Sequence, residues 1–148
     1  MALSESIREL NADENSFFDF WRAQLRQMLP EQERSIIDST TGKLTVIQLV
    51  LEHATAEEHE LLQGLGVLFG DALADELGLR WVVTTDHFGT APVVIRPGTS
   101  LKIGAFSMIE KRVVNGDVPI EVGVLFEAIR DQANQLLLSK EAALWPSV

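Results

Sequence analysis

The chain has 148 residues, 46% of them hydrophobic, and a formal net charge of −10. That length suits a single domain, 1–148, which buries roughly 70% of its unfolded surface and needs no staple. With no cysteine, disulfides, thiol nucleophiles, Cys-ligated zinc and iron–sulfur clusters are excluded, and the acidic balance argues against nucleic-acid binding, which needs a basic surface.

Residues 1–10 lack a basic stretch followed by an apolar run, so no secretory leader is expected. No apolar run approaches ~18 residues, so no membrane span is expected and a cytoplasmic protein is the plain expectation.

Leu3, Ile7 and Leu10 share one face of a short leading helix. Asn15 or Ser16 then caps a stronger helix, whose stripe is Phe17, Trp21, Leu25 and Met28 and whose end is Pro30. Residues 31–42 are mostly polar and close on a Thr40-Thr41-Gly42 turn. Residues 44–51 carry both periods; the shared face of Leu44, Ile47 and Leu51 favours helix. Thr55-Ala56-Glu57-Glu58 reads as a capping box opening a helix that runs to Leu77 and stops at Gly78. Within it, Gly66, Gly70 and Ala74 form a small-residue stripe. Two interior glycines cost about 1 kcal/mol each against alanine, so close packing should compensate.

The period then changes to two. Leu79, Trp81, Val83 and Thr85 alternate with Arg80, Val82, Thr84 and Asp86, as in a strand. Asp86-His87-Phe88-Gly89 is a hairpin turn, residues 93–96 a second strand, Pro97-Gly98 a second turn, and Leu101, Ile103 and Ala105 a third strand. Ser107-Met108-Ile109-Glu110 reads as a capping box for a short helix ending near Asn115-Gly116. Pro119 fits a first helical turn, and Val122, Phe126, Ile129, Ala133 and Leu136 make a last stripe. The tail 139–148 reads as loosely held, with Trp145 as its anchor. The expected fold is α+β: N-terminal helices, a three-stranded antiparallel meander, and C-terminal helices packed on one sheet face together with the Gly66/Gly70 helix.

Residues 64–112 resemble the bacterial family called domain of unknown function 3806. The features that carry the resemblance are Leu65-Gly66, Phe69-Gly70-Asp71, Trp81-Val82-Val83, Asp86 with Gly89, Arg96-Pro97-Gly98-Thr99, and Phe106-Ser107-Met108-Ile109 followed by Lys111-Arg112. The resemblance implies a family-like core over about residues 43–138. It brings no catalytic residues.

Motif by motif, reactive chemistry is not indicated. Gly64, Gly66 and Gly70 mimic a dinucleotide fingerprint, but the last glycine is one residue late and no strand precedes. Thr41-Gly42-Lys43-Leu44 is no P-loop, because Ile37 stands at the leading glycine and Leu44 at the magnesium-binding hydroxyl. His53 and His59 do not share a helical face, and no metal or cofactor is expected. Residues 79–114 are a basic island with five bases (Arg80, Arg96, Lys102, Lys111, Arg112) and two acids (Asp86, Glu110).

The expectation is therefore a non-catalytic binding or interaction domain that presents a basic patch on the sheet and its loops to a protein partner or a small anionic ligand. Its candidate residues are Trp81, Asp86, His87, Arg96, Lys111 and Arg112. The alternative is a small enzyme acting on an anionic substrate, with Asp86 or His87 as base and Lys111 or Arg112 holding the anion.

Overall fold

A computed structural model describes residues 6–87, 89–117 and 119–138. In chain order these form β1 (Ser6–Arg8), α1 (Ala12–Gln27), a 3-10 helix (Glu31–Asp38), α2 (Thr40–Leu51), α3 (His59–Leu77), β2 (Arg80–Asp86), β3 (Gly89–Ile95), β4 (Lys102–Ile103), α4 (Ala105–Val114) and α5 (Val122–Leu138). The class is α+β, as expected. Leu3, Phe88 and the tail 139–148 with Trp145 lie outside the described residues.

The leading segment is a strand, not a helix. Residues 6–8 pair antiparallel with β2, Ile7 opposite Thr84, so the sheet has four strands in the order β1-β2-β3-β4. A single apolar residue in a three-residue segment cannot build a helical face, whereas the open edge of β2 supplies both backbone bonds and an apolar neighbourhood for Ile7. Asn11 then caps α1, four residues before the expected position. Its side chain accepts from the Glu14 amide at 2.8 Å, and Glu14 accepts from the Asn11 amide at 2.8 Å. Arg8 grips both oxygens of Glu14, at 2.7 and 3.0 Å, and so ties β1 to the start of α1.

The polar stretch after Pro30 is the 3-10 helix, and Ser39 caps α2 through the Gly42 amide at 2.9 Å. Residues 44–51 are helical, as their shared face requires. α3 begins at His59, later than the Thr55 box implied. Glu58 does accept the Thr55 amide at 2.9 Å, but the Thr55 hydroxyl donates to the same carboxylate instead of receiving an amide. The helix ends as expected on Gly78, whose φ of 67° lies in the left-handed region.

α3 is the axis of the molecule. Leu62 and nearly every residue from Gly64 to Leu73 are buried, with α1, α2 and α4 packed around it. Three of its glycines make this possible. A Cβ at Gly66 would collide with the Phe106 carbonyl in the first turn of α4. At Gly70 it would enter the Trp81 ring, and at Gly64 the Trp21 ring. The sheet lies against the C-terminal half of α3 through Trp81 and Val94, which face each other across β2 and β3.

α5 departs from expectation. It packs on α2 and α3, with Phe126 edge-on to Phe69, and not on the sheet. Gln48 of α2 fixes its entry, donating to the Ile120 carbonyl at 3.0 Å and accepting the Val122 amide at 2.9 Å. Pro119 therefore precedes the helix by three residues instead of sitting in its first turn.

Two outcomes are expected. Gly66→Ala or Gly70→Ala should lower the urea-unfolding free energy by about 1–3 kcal/mol through overpacking, outweighing a helix-propensity gain of about 1 kcal/mol. An unchanged midpoint would mean that neither contact is tight. The second outcome concerns acid. The hydrogen bond from Arg8, helped by the Asn11 amide, holds Glu14 below the ordinary carboxylate range. The folded value is the lower one, so this contribution is complete above the unfolded pKa of about 4.3 and fades as pH falls through the folded value. NMR in a pH titration should show the β1–α1 junction loosening below about pH 4, and Glu14→Gln should remove that pH dependence.

Candidate functional site

Trp81 belongs to a structural network. Its indole edge receives Phe18 at 4.8 Å and 86°, and its Nε1 donates to Asp71 Oδ1 at 2.9 Å. Asp71 also accepts Nε and Nη2 of Arg22, both at 2.8 Å. Arg22 lies 5.6 Å over the Phe18 ring, and its pKa is pushed up by the hydrogen bond to Asp71. One carboxylate thus joins α1, α3 and β2. Asp71 follows Gly70 directly in the sequence, but Arg22 is 49 positions away, and no sequence pattern links them. Removing the shared acceptor with Asp71→Ala should cost about 2 kcal/mol in chemical denaturation, with Trp81 fluorescence reporting the change; a loss under about 0.5 kcal/mol would show that the network is not a clamp.

Asp86, at the end of β2, lies 3.8 Å from Lys102. By register Lys102 stands opposite Ile95 and Asp86 opposite Gly89. In a flat strand those levels are about 20 Å apart, beyond the reach of the two side chains. The hairpin must therefore curl over the face that carries both. That face also holds the buried cluster Val82, Val93 and Ile95 with Ile7. His87 sits in the hairpin turn. Arg96 is exposed at the opposite end of β3, where the Thr99 hydroxyl donates to its carbonyl at 2.8 Å and Gly98 takes a φ of 80°.

Lys111 and Arg112 occupy a different position from the one expected. α4 begins at Ala105 after Gly104, and no Ser107 side-chain cap forms. The helix starts three residues earlier than a Ser107 cap implies, and both cations fall in its last turn, where they complement the dipole instead of opposing it. The helix also carries them away from the sheet. Its first turn touches Gly66, while Glu110 reaches back to His59 Nδ1 at 2.9 Å, at the first residue of α3.

The basic island is thus dispersed. Arg80 pairs with Glu9 and Lys102 with Asp86. Among the described residues Arg96, Lys111 and Arg112 make no ion pair, and Arg96 stands apart from the other two. Lys111 is exposed; Arg112 is half-buried, and its Nε is enclosed with no hydrogen-bond acceptor.

Several clefts surround the helices. One of about 390 Å³ lies between Arg112, the 119–120 segment and the outer side of α5. Another, about 500 Å³, is walled by Leu51, Ala54, Val113 and Ile120. A third, about 520 Å³, is charged, but its bases are engaged: Arg22 with Asp71, Arg26 with Asp38, and Lys43 with Asp75 at 2.9 Å. An apolar groove of about 310 Å³ includes Met28, Leu49 and His53. Among the described residues no three metal-ligating side chains converge, and no helix is long and apolar enough to cross a membrane.

An α+β domain built on a glycine-faced central helix, with a curled antiparallel sheet at one end, is the class these features define. The chain belongs to the family described as domain of unknown function (DUF3806), whose model matches residues 43–124. No curated protein matches it. It is similar in fold to a protein of Bacteroides thetaiotaomicron VPI-5482 solved by crystallography at 1.50 Å, with a TM-score of 0.62 and 15% identity over 89% of this chain. The match covers 49% of that protein, so the chain spans about half its length.

Proposed function

We propose that this domain is a non-catalytic binding module that engages an acidic partner or a small anionic ligand through the C-terminal end of α4. The supporting observation is the state of Lys111 and Arg112. Arg8, Arg22, Arg26, Lys43, Arg80, Lys102 and Arg130 each have a carboxylate partner. Lys111 and Arg112 have none among the described residues, although the chain carries ten net negative charges. Unpaired adjacent cations beside a concave surface are the least costly place on such a molecule to receive an anion. Arg96, at the end of the sheet, and Arg34, which donates to the Leu29 carbonyl, are separate cations that also lack a carboxylate partner among the described residues. The competing enzymatic reading finds less support: neither Asp86 nor His87 lines any of the clefts described above, and Asp86 faces Lys102.

Lys111→Glu with Arg112→Glu should abolish capture of an acidic partner in affinity purification while moving stability by no more than about 1 kcal/mol per site, the size of a helix-terminus charge effect. Capture by the unaltered protein should weaken with added salt, because exposed charges are screened over about 8–10 Å. A partner that binds the double variant normally would place the binding surface elsewhere.

A further inference from the structure

α2 is apolar on more than its core face. From Leu44 to Leu51 only Thr45 and Gln48 are polar, and a helix that is hydrophobic all round is normally buried all round. Here one side is not. Val46, Leu49, Val50 and His53 follow the i, i+3, i+4, i+7 spacing of a single helical face. With Met28 and Leu29 from the end of α1 and Leu61 from α3, that face lines a groove of about 310 Å³. Met28 is 51% exposed and Leu49 49%. No other cleft described above is lined by two large apolar side chains so open to solvent. Methionine and leucine on such a surface adapt readily to the shape of a partner. The walls are helical and carry no strand edge, so the groove suits a helix packed ridge-into-groove along α2 better than a paired strand.

Charge specifies the occupant. Residues 28–34 and 46–61, the segments that build the groove, carry Glu31, Glu33, Glu52, Glu57, Glu58 and Glu60 against one arginine, Arg34. None of these glutamates is ion-paired among the described residues. Glu58 itself lines the groove and accepts from Thr55, while Arg34 donates to the Leu29 carbonyl at 3.3 Å. A second copy of this chain would bring the same acidic surroundings, and an anionic membrane the same sign of charge; both are repelled. We infer that the groove receives an amphipathic helix of a partner protein, with its apolar face against Met28, Leu49 and Leu61 and its lysines or arginines on the surrounding glutamates. The inference is independent of the α4 cations, because it concerns another surface and a partner segment of opposite charge.

The test is an NMR titration of the full ¹⁵N,¹³C-labelled chain with three helical peptides of about five turns, or about 18 residues. One has leucines on one face and lysines elsewhere; the second replaces leucine by glutamine; the third replaces lysine by glutamate. The leucine–lysine peptide should shift the methyl signals of Met28, Leu49, Val50 and Leu61. It should bind about ten-fold or more tighter than either of the others, about the difference made by one good contact, and more weakly as salt is added. Leu49→Glu should weaken binding about ten-fold with an unchanged melting midpoint, since the position is exposed. Glu58→Gln should weaken it roughly two- to five-fold, the scale of one exposed ion pair. The peptide comparison on the unaltered chain decides the matter even where a variant lowers the midpoint. Equal binding of the glutamine–lysine peptide, or shifts spread over the acidic surface, would mean attraction by charge alone and overturns the docking groove. Equal binding of the leucine–glutamate peptide overturns the choice of a basic partner. Self-association of the free chain that shifts Leu49 makes a second copy the occupant and overturns the inference, as does the absence of any shift at Leu49 with all three peptides.

Discussion

The structure depends on how closely other elements approach the backbone of α3. Side chains normally hold two packed helices 8–10 Å apart. At Gly66 the first turn of α4 sits where a Cβ would be, and at Gly70 and Gly64 tryptophan rings do the same. These contacts fix the position of α4, the sheet and α1 around a single helix. They also account for three interior glycines that weaken α3 as an isolated helix: the lost propensity is recovered as contact area between elements.

A polar clamp completes that arrangement on one side. Asp71 collects Arg22 from α1 and Trp81 from β2 at hydrogen-bond distance. The carboxylate is mostly covered, with 15% of its side chain exposed, so solvent screens it less than a surface pair. The aromatic contacts among Phe18, Trp81 and Phe106 lie beside it. Packing and charge therefore specify one relative placement of α1 and the sheet.

The same economy explains which bases are left without a carboxylate partner among the described residues. Most bases are used to join elements: Arg8 ties β1 to α1, Arg26 ties α1 to the 3-10 helix, and Lys43 ties α2 to α3. The end of α4 lies beyond these junctions. Its cations gain from the helix dipole, and Arg112 borders a cleft lined by Asp117 and Glu121 as well as by apolar side chains.

Much of this was legible in the chain. Period-3.6 stripes marked α1, α2, α3 and α5, the change to period two marked β2, and Gly78 and Gly98 marked turns that need positive φ. These are local properties, set by each residue's own backbone and near neighbours, and so a single sequence contains them. Other features are not local. Residues 6–8 became a strand because β2 offered an open edge, a partner 77 positions away for Ile7. α4 started at Ala105, before its apparent capping box, because packing of its first turn on Gly66 outweighed a cap. That shift moved Lys111 and Arg112 from the wrong end of a helix dipole to the right one. Trp81 read foremost as a strand residue filling the core, with a stacking surface as the alternative; Asp71 and Phe18 hold it in a structural network. The residues around Arg112 come from the end of α4, the 119–120 segment and one side of α5, and α5 is oriented there by long-range contacts that include the Gln48 bridge and the Phe126–Phe69 pair. The sequence by itself determined the elements and the charge of the chain; contacts between distant residues decided which charges were neutralised and which were left without an ion-pair partner among the described residues.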